Sequence, residues 1–230
     1  MYGFGGVPRY FKDSDKMTYE EEKKMVRCWN LLGEPKVDES TFQKGFELKV
    51  DGKMGALGAY HRAAKGTTFA GPTYFAGILR RFKHAVEYGM EHYENNFFVM
   101  CIFTDGSIHD VEDTKELVVQ LSYLPVSIII VGIGEEDFAR MVELDADSHV
   151  LCDKNGLAAA RDIIQFVVFN EMKDLSQERV KEIMMAEVPD QFVEYMVMKN
   201  IAPPPPKNWS SINLSEDPTT PSPFVQSTEH

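Results

Sequence analysis

The sequence predicts an α/β domain built on a mostly parallel sheet flanked by helices. Two continuous apolar runs of strand length, 97–103 and 127–131, support this fold class, because strands buried on both faces of a parallel sheet show no polar alternation. Segments of helical character lie around them, at 75–93, 111–122 and 136–144. Strands and helices that alternate in this way form βαβ units with right-handed crossovers.

The N-terminal part is less regular. Residues 1–6 resemble a short glycine-bearing strand end, and 18–32 has the charge pattern of a helix that opens with a capping box. Residues 44–50 are expected to form an edge strand or a loop. Over 52–65, apolar residues recur at helical spacing, although the glycines there weaken the helix prediction.

The C-terminal part adds a third strand and a long helix. The strand is expected at 163–169 and the helix at about 177–199. Four consecutive prolines at 203–206 then introduce a stretch rich in Pro, Ser and Thr. Since proline fixes φ and donates no hydrogen bond, we expect a folded domain over 1–202 and an extended, disordered tail over 203–230.

Composition narrows the class of protein. The 230 residues are 43% hydrophobic and 26% charged, as in ordinary globular proteins. No run approaches the ~20 apolar residues of a membrane-spanning helix, and the N-terminus lacks the features of a signal peptide. We therefore expect a cytoplasmic protein, with the periphery of the plasma membrane and the nucleus as alternative locations.

Charge and cysteine content argue against several kinds of partner and of site. The formal net charge of −12 argues against nucleic acid or anionic lipid as a direct partner. The basic cluster at 80–84 is interpreted as a solvated helix face. Cys28, Cys101 and Cys152 are widely spaced, which predicts neither a disulfide framework nor a metal site. Cys101 lies in an apolar run and is interpreted as a buried small hydrophobe.

Two residues are candidates for a binding site, because ligands of parallel sheets collect beyond the carboxyl ends of strands. Asp105 directly follows the run 97–103, so it either faces a cation or polar ligand or forms a turn that caps the next element. Thr73 follows a Gly-Pro turn and precedes a helix, which its hydroxyl would cap. A turn role for Asp105 and a cap role for Thr73 are each compatible with binding a metal ion. Oxygen ligands of this kind suit Mg²⁺ or Ca²⁺ rather than zinc.

Two other patterns are weaker. The segment 132–134 (Gly-Ile-Gly) follows a strand as a dinucleotide loop would, but Asp137 stands where the third glycine is required. We interpret the segment as a turn with close packing. His109, Asp110 and Asp113 have no nucleophile at useful spacing, so they are interpreted as solvated loop or helix-start residues. No catalytic site is predicted.

Several segments, in this order and at these spacings, resemble the A-domain of copines, a module of the von Willebrand factor A (vWA) class. The most distinctive are Leu-Pro-Val-Ser-Ile-Ile-Ile-Val-Gly-Ile-Gly at 124–134 and Arg-Asp-Ile-Ile-Gln-Phe-Val at 161–167. The resemblance covers about residues 1–205 and extends to plant RING-type ubiquitin ligases with a copine-like domain. No RING pattern of cysteines and histidines occurs in this sequence. The supporting segments are 3–5, 71–75, 103–106, 141–145 and 187–192.

The resemblance implies a vWA-type, Rossmann-like fold with a metal-ion-dependent adhesion site (MIDAS). By that resemblance Thr73 is the hydroxyl ligand of the second loop and Asp105 the carboxylate of the third, around Mg²⁺ or Ca²⁺. The Asp-x-Ser-x-Ser motif of the first loop is absent from this sequence. We therefore expect an incomplete site with weak or no cation affinity.

The resemblance also implies that the central first strand is missing, since the chain starts where the family's second strand is expected. Each unmet buried backbone group costs on the order of 1–3 kcal/mol, and an unpaired apolar edge invites association with another chain. Three explanations remain open: a truncated gene model, which we favour, one piece of a longer polypeptide, or a chain completed by a partner strand or by self-association.

For function, the resemblance implies a non-enzymatic protein-interaction or scaffold module, from a family linked to calcium-dependent phospholipid binding and signalling at membranes. The two C2 domains of full-length copines are absent, so membrane contact is expected only indirectly and the direct partners are other proteins. The alternative is a copine-like component of a ubiquitin-ligase system. A nucleotide-using enzyme on the same α/β plan is a third, less favoured hypothesis.

Overall fold

The structure, a computed structural model, describes residues 2–4, 6–8, 29–30, 50–69, 71–93, 96–145 and 150–203. Its centre is a parallel sheet of three strands with helices on both faces. The strands are β1 (Tyr2–Gly3), β2 (Gly6–Pro8), β3 (Trp29–Asn30), β4 (Thr67–Phe69), β5 (Phe98–Thr104), β6 (Val126–Gly132) and β7 (Ile164–Val168). The helices are α1 (Gly52–Gly66), α2 (Ala76–His92), α3 (Val111–Leu121), α4 (Ala139–Asp145), α5 (Phe169–Met172), α6 (Gln177–Met184) and α7 (Val188–Met198).

The central sheet has the order β5-β6-β7, and both pairings are parallel. Cys101 of β5 lies opposite Ile129 of β6, which in turn lies opposite Gln165 of β7. Helices α3 and α4 lie in the two crossovers. The predicted parallel pairing of the two apolar runs is therefore confirmed. The shorter strands form two antiparallel pairs, β1 with β3 and β2 with β4.

Two apolar cores cover the two faces of this sheet. The larger core joins the sheet to α2, α3 and α4, with Phe75, Leu79 and Ile130 among its buried side chains. The smaller core joins β6 and β7 to the C-terminal helices through Ile129, Val131, Val167, Met172 and Val188. Because β6 has a strand on each side and a core on each face, all seven of its residues are buried. The predicted α/β class is thus confirmed.

Strand β5 differs from β6, because one of its faces is exposed. Ile102 and Thr104 are buried, whereas Phe103 is 60% exposed, Val99 is 45% exposed and Cys101 is also exposed. The prediction of burial on both faces was wrong for this strand, and so was the interpretation of Cys101 as a buried hydrophobe. The physical reason is that the smaller core reaches β6 and β7 and stops short of β5. Neighbouring atoms still desolvate the Cys101 sulfur enough to raise its pKa.

Most predicted elements occur within three residues of the expected bounds. The helix expected at 177–199 is instead two helices, α6 and α7, because Pro189 in the first turn of α7 cannot continue a helix from the preceding turn. The helix expected at 18–32 is wrong at its end, where Trp29–Asn30 form β3. The rest of that segment, Cys28, residues 44–49 and the tail after Pro203 lie outside the described residues.

A buried arginine joins the sheet to the last helix. The Arg161 guanidinium donates hydrogen bonds to the carbonyls of Val126 (2.6 Å), Leu124 (2.7 Å) and Gln191 (3.2 Å). Its Cζ atom also lies 5.6 Å from the centre of the Tyr195 ring. Burial lowers the pKa of Arg161 to about 10, so the group stays charged at neutral pH. It therefore binds the start of β6 to α7 by charge-assisted hydrogen bonds.

Within the described ranges, no helix is both long enough and apolar enough to cross a lipid bilayer.

Candidate functional site

Two loops meet at the carboxyl end of β5. One, residues 71–75, precedes α2, and the other, residues 105–110, leads from β5 to α3. The Thr73 N–H donates to Nδ1 of His109 at 3.2 Å, and the His109 N–H donates to the Thr73 carbonyl at 3.0 Å. We call these two loops together the rim. Thr73 and Asp105, the two candidate residues, therefore lie in loops that are hydrogen-bonded to each other.

Asp110 fixes the rim against α2. Its carboxylate accepts hydrogen bonds from the N–H groups of Phe75 and Ala76, both at 2.9 Å. These are orphan donors at the start of the helix, and a carboxylate there is favoured by the helix dipole as well. The interpretation of Thr73 as the cap of this helix was therefore wrong. The capping carboxylate lies 35 residues further along the chain, so no local sequence pattern could predict it.

The candidate oxygens are only partly used within the rim. Asp105 is exposed, and its Oδ1 accepts the Ser107 N–H at 3.1 Å, which is the turn alternative predicted from the sequence. Its Oδ2 has no hydrogen-bond partner among the described residues. The half-buried Thr73 likewise has no described partner for its hydroxyl. One carboxylate oxygen and one hydroxyl are thus left to meet a ligand.

This donor set fits a hard cation in kind but not in number. Carboxylate and hydroxyl oxygens suit Mg²⁺ and Ca²⁺, which take about six to eight oxygen ligands. The two candidate residues, Thr73 and Asp105, would supply two of them. Across the described parts of the chain, no group of three or more His, Cys, Asp or Glu side chains is placed to hold a metal ion. Most of the coordination shell would have to come from water or from a partner.

Beside the rim, an aromatic ring covers the carboxyl ends of β5 and β6. A Cβ added at Gly106 would lie 2.8 Å from Cδ1 of Phe138, and one at Gly132 would lie 2.7 Å from its Cε1. Gly106 also has φ +94°, which favours glycine. The Phe138 ring thus packs directly against both glycines and fills the space beside them. This agrees with the interpretation of 132–134 as a turn with close packing.

The rim, the packed ring and the parallel sheet together define an α/β domain of the vWA-like class, with polar loops at the carboxyl ends of its strands. A family model described as Copine matches residues 1–204. The chain belongs to the copine family. The resemblance seen in the sequence is therefore confirmed.

Two curated relatives come from Arabidopsis thaliana. Protein BONZAI 2 is 36% identical to this chain over 177 residues, which are 76% of this chain and 28% of that protein. Protein BONZAI 1 is 35% identical over 180 residues, which are 78% of this chain and 29% of that protein. The chain thus spans less than a third of the length of these relatives.

The two most distinctive sequence segments have structural roles. Residues 124–134 include the fully buried β6, and residues 161–167 include Arg161 and Gln165. The Gln165 side-chain oxygen accepts the Glu187 N–H at 3.1 Å, ahead of α7. In this chain, both segments help to hold the sheet and the last helix together. The polar contacts of the rim made by His109 and Asp110 were missed, since they depend on tertiary contacts.

Proposed function

We propose that this chain is a non-enzymatic binding module of the copine type, and that the rim is the surface that contacts partner proteins. The observation that carries the proposal is that the Thr73 hydroxyl and Asp105 Oδ2 have no hydrogen-bond partner among the described residues, on two loops that are bonded to each other and to α2. Loops held rigidly by a scaffold are where recognition residues concentrate. The family resemblance adds a link to calcium-dependent phospholipid binding and to signalling at membranes.

A divalent cation would be a weak, shared ligand of this rim. Bound Mg²⁺ or Ca²⁺ would supply positive charge and open coordination positions for a carboxylate of the partner. In this chain, Thr73 and Asp105 would hold it. Two protein ligands predict millimolar affinity for the cation alone, and tighter binding only when the partner contributes further oxygens.

The proposal of a binding role over catalysis rests on the side chains near the rim. His109 and Asp110 are both engaged in structural hydrogen bonds, to the backbone of Thr73 and of Phe75. Phe138 occupies the crevice beyond β5 and β6. The ubiquitin-ligase alternative draws on the resemblance alone, and no contact of the described residues favours it.

Isothermal titration calorimetry with Mg²⁺, Mn²⁺ and Ca²⁺ tests the cation part. Asp105→Asn keeps the oxygen that accepts the Ser107 N–H but removes the charge. Asp113→Asn is the matched control, because Asp113 is an exposed acid on the neighbouring helix. We expect millimolar binding that Asp105→Asn abolishes and Asp113→Asn preserves. Equal binding by all three proteins would remove Asp105 from the site, and micromolar affinity would show a fuller ligand set than the two residues named here.

Vesicle co-sedimentation tests the lipid part. With phosphatidylserine vesicles and Ca²⁺, we expect no binding of this chain, because its net charge of −12 opposes anionic lipid. Binding that requires Ca²⁺ and is lost in Asp105→Asn would instead place a lipid contact at the rim. Binding that Asp105→Asn leaves unchanged would place it elsewhere on the chain.

A further inference from the structure

Two adjacent apolar side chains are exposed at the carboxyl ends of β6 and β7. Gly132, the last residue of β6, is the register partner of Val168, the last residue of β7. The residues that follow them, Ile133 and Phe169, therefore lie beside each other at the end of the sheet. Ile133 is 46% exposed and Phe169 is 44% exposed, so each leaves much of its apolar surface available for contact.

Hydrogen bonds hold the backbone on either side of this pair. The Ile133 N–H donates to the Thr104 carbonyl at 2.8 Å, which joins it to the end of β5. The Asn170 side-chain amide donates to the Gly134 carbonyl at 2.9 Å, which joins the residue after Phe169 to the residue after Ile133. The two side chains are thus held in place before any partner arrives, which lowers the entropy cost of binding.

Acidic side chains surround the pair. The two segments that contain it, 133–138 and 169–174, carry five acidic residues and one lysine, a formal charge of −4. All five acidic residues are exposed, and none of them forms an ion pair with another described residue. We call these five together with Ile133 and Phe169 the end surface. The five acidic residues are Glu135, Glu136, Asp137, Glu171 and Asp174.

We propose that the end surface binds a basic segment of a partner protein. An apolar side chain of that segment packs on Ile133 and Phe169, and the lysine or arginine residues on either side of it meet the carboxylates. An apolar centre with a polar rim is the usual organisation of a specific interface. The inference rests on the proposed function, because it takes the carboxyl ends of the strands as the partner surface, and it adds the chemistry of the partner.

Charge complementarity selects this kind of partner. Nucleic acid, anionic lipid and a second copy of this chain, with its own net charge of −12, are all repelled by the end surface. A basic protein segment is attracted, and its apolar anchor distinguishes it from a simple polycation. Because exposed charges are screened over about 8 Å at physiological ionic strength, binding should weaken as salt is added.

The contact needs no divalent cation, because the carboxylates attract lysine and arginine directly. A cation held by Thr73 and Asp105 would instead prefer a carboxylate of the partner. The two kinds of contact therefore select partner segments of opposite charge. This difference allows the end surface and the proposed cation site to succeed or fail separately.

Selection from a random twelve-residue peptide library on phage, with the full chain as bait, tests the chemistry of the partner. In EDTA, we expect enrichment of peptides that carry two or more Lys or Arg residues around a Phe, Leu or Ile. Failure to enrich any peptide, or enrichment of acidic or uncharged ones, overturns the inference. Acidic peptides that are enriched only with Mg²⁺, and lost in Asp105→Asn, would support the proposed function while rejecting the basic partner.

Fluorescence polarisation with an enriched peptide tests the apolar pair. Ile133→Ser and Phe169→Ser should each weaken binding at least about tenfold, equivalent to ~1.4 kcal/mol. Replacement of the peptide's apolar anchor by alanine should weaken it equally. Met90→Ser is the matched control, since Met90 is 45% exposed near the end of α2, which leads into the start of β5. Unchanged binding in Phe169→Ser, or an equal loss in Met90→Ser, overturns the inference.

The same assay tests the charges. The double variant Glu135→Gln, Glu136→Gln should weaken binding at least about threefold and reduce its dependence on salt. The control is Glu91→Gln with Glu194→Gln, because both residues are exposed and lie toward the amino ends of the strands. Removal of these two charges should leave the affinity within about twofold of the unchanged chain. Equal losses in the two double variants would show attraction by net charge alone and would reject the end surface as the site.

Discussion

Thr73 and His109 exchange two hydrogen bonds, one through the imidazole Nδ1 and one through the His109 N–H. The pair joins the loop before α2 to the loop after β5, although 36 residues separate them. The position of the Thr73 hydroxyl relative to Asp105 therefore depends on this contact. His109 acts as a positioning residue, since its Nδ1 atom already accepts the Thr73 N–H.

His109→Ala should weaken cation binding at the rim more than it lowers stability. The lost hydrogen bond is exposed and contributes about 0.5–1.5 kcal/mol at most, but Thr73 loses its fixed position. His109→Asn, whose side-chain oxygen can replace Nδ1 as acceptor, should restore much of the affinity. Calorimetry and thermal unfolding of both variants provide the comparison. Unchanged affinity in His109→Ala would exclude this positioning role.

Asp110→Ala should destabilise the fold by about 1–2 kcal/mol. The variant leaves the Phe75 and Ala76 N–H groups without their charge-assisted partner at the start of α2. Asp113→Ala, one turn further on, should cost no more than about 0.5 kcal/mol because Asp113 is exposed. Urea denaturation gives both values. Equal effects of the two substitutions would contradict the capping role.

Arg161→Ala should be among the most damaging single substitutions, at about 3 kcal/mol or more. It removes the charge-assisted hydrogen bonds to the buried carbonyls of Val126 and Gln191, and with them the link between β6 and α7. Arg161→Lys should recover only part of the loss, since an ammonium cannot reproduce the planar fork of donors. Arg179→Ala is an exposed control. Denaturant unfolding that shows a cost below about 1 kcal/mol would contradict this role.

Glu143→Gln should matter near neutral pH and lose its effect in acid. The Lys115 ammonium, 2.6 Å away, and then Arg140 hold the pKa of Glu143 below its ordinary value. A carboxylate with a lowered pKa in the folded state stabilises that state above its unfolded pKa of about 4.3. This contribution is lost as the pH falls through the folded value. The difference in unfolding free energy, at most about 1 kcal/mol at pH 7 for this partly exposed pair, should therefore shrink at lower pH. A difference that does not change with pH would contradict the ion pair.

Gly132→Ala should destabilise the domain, whereas Gly58→Ala should stabilise it. A Cβ at Gly132 meets the Phe138 ring at 2.7 Å, and overpacking of this kind costs about 1–3 kcal/mol. Gly58 lies inside α1 with no atom within 4 Å of the added Cβ, so alanine gains about 0.5–1 kcal/mol of helix propensity. Unfolding curves of each variant, measured beside the unchanged chain, give the sign of each change in unfolding free energy. A neutral Gly132→Ala would show that the ring moves freely.

The parallel sheet could be predicted because apolar runs such as 127–131 carry the signal for burial along their whole length. Burial of β5 was overestimated for the same reason: its sequence is equally apolar, and only the layout of the smaller core shows that Phe103 is exposed. Pro189 is a local signal for the break before α7. The amphipathic pattern of the segment nevertheless led to the prediction of one continuous helix.

The positions of the two candidate residues could be predicted, but their surroundings could not. Asp105 directly follows β5, and Thr73 lies in the neighbouring loop, as the sequence indicated. The hydrogen bonds that hold these loops come from His109 and Asp110, at sequence separations of 34 to 36 residues. Sequence periodicity carries no information about such contacts, so the cap of α2 was assigned to the wrong residue.

The contact of Phe138 with Gly106 and Gly132 has an evolutionary consequence. A larger residue at either glycine position is compatible with the fold only if residue 138 shrinks at the same time, because the three share one volume. Across copines, these positions should therefore change as a set or not at all. A homologue with alanine at the position of Gly132 should carry a smaller side chain in place of the phenylalanine.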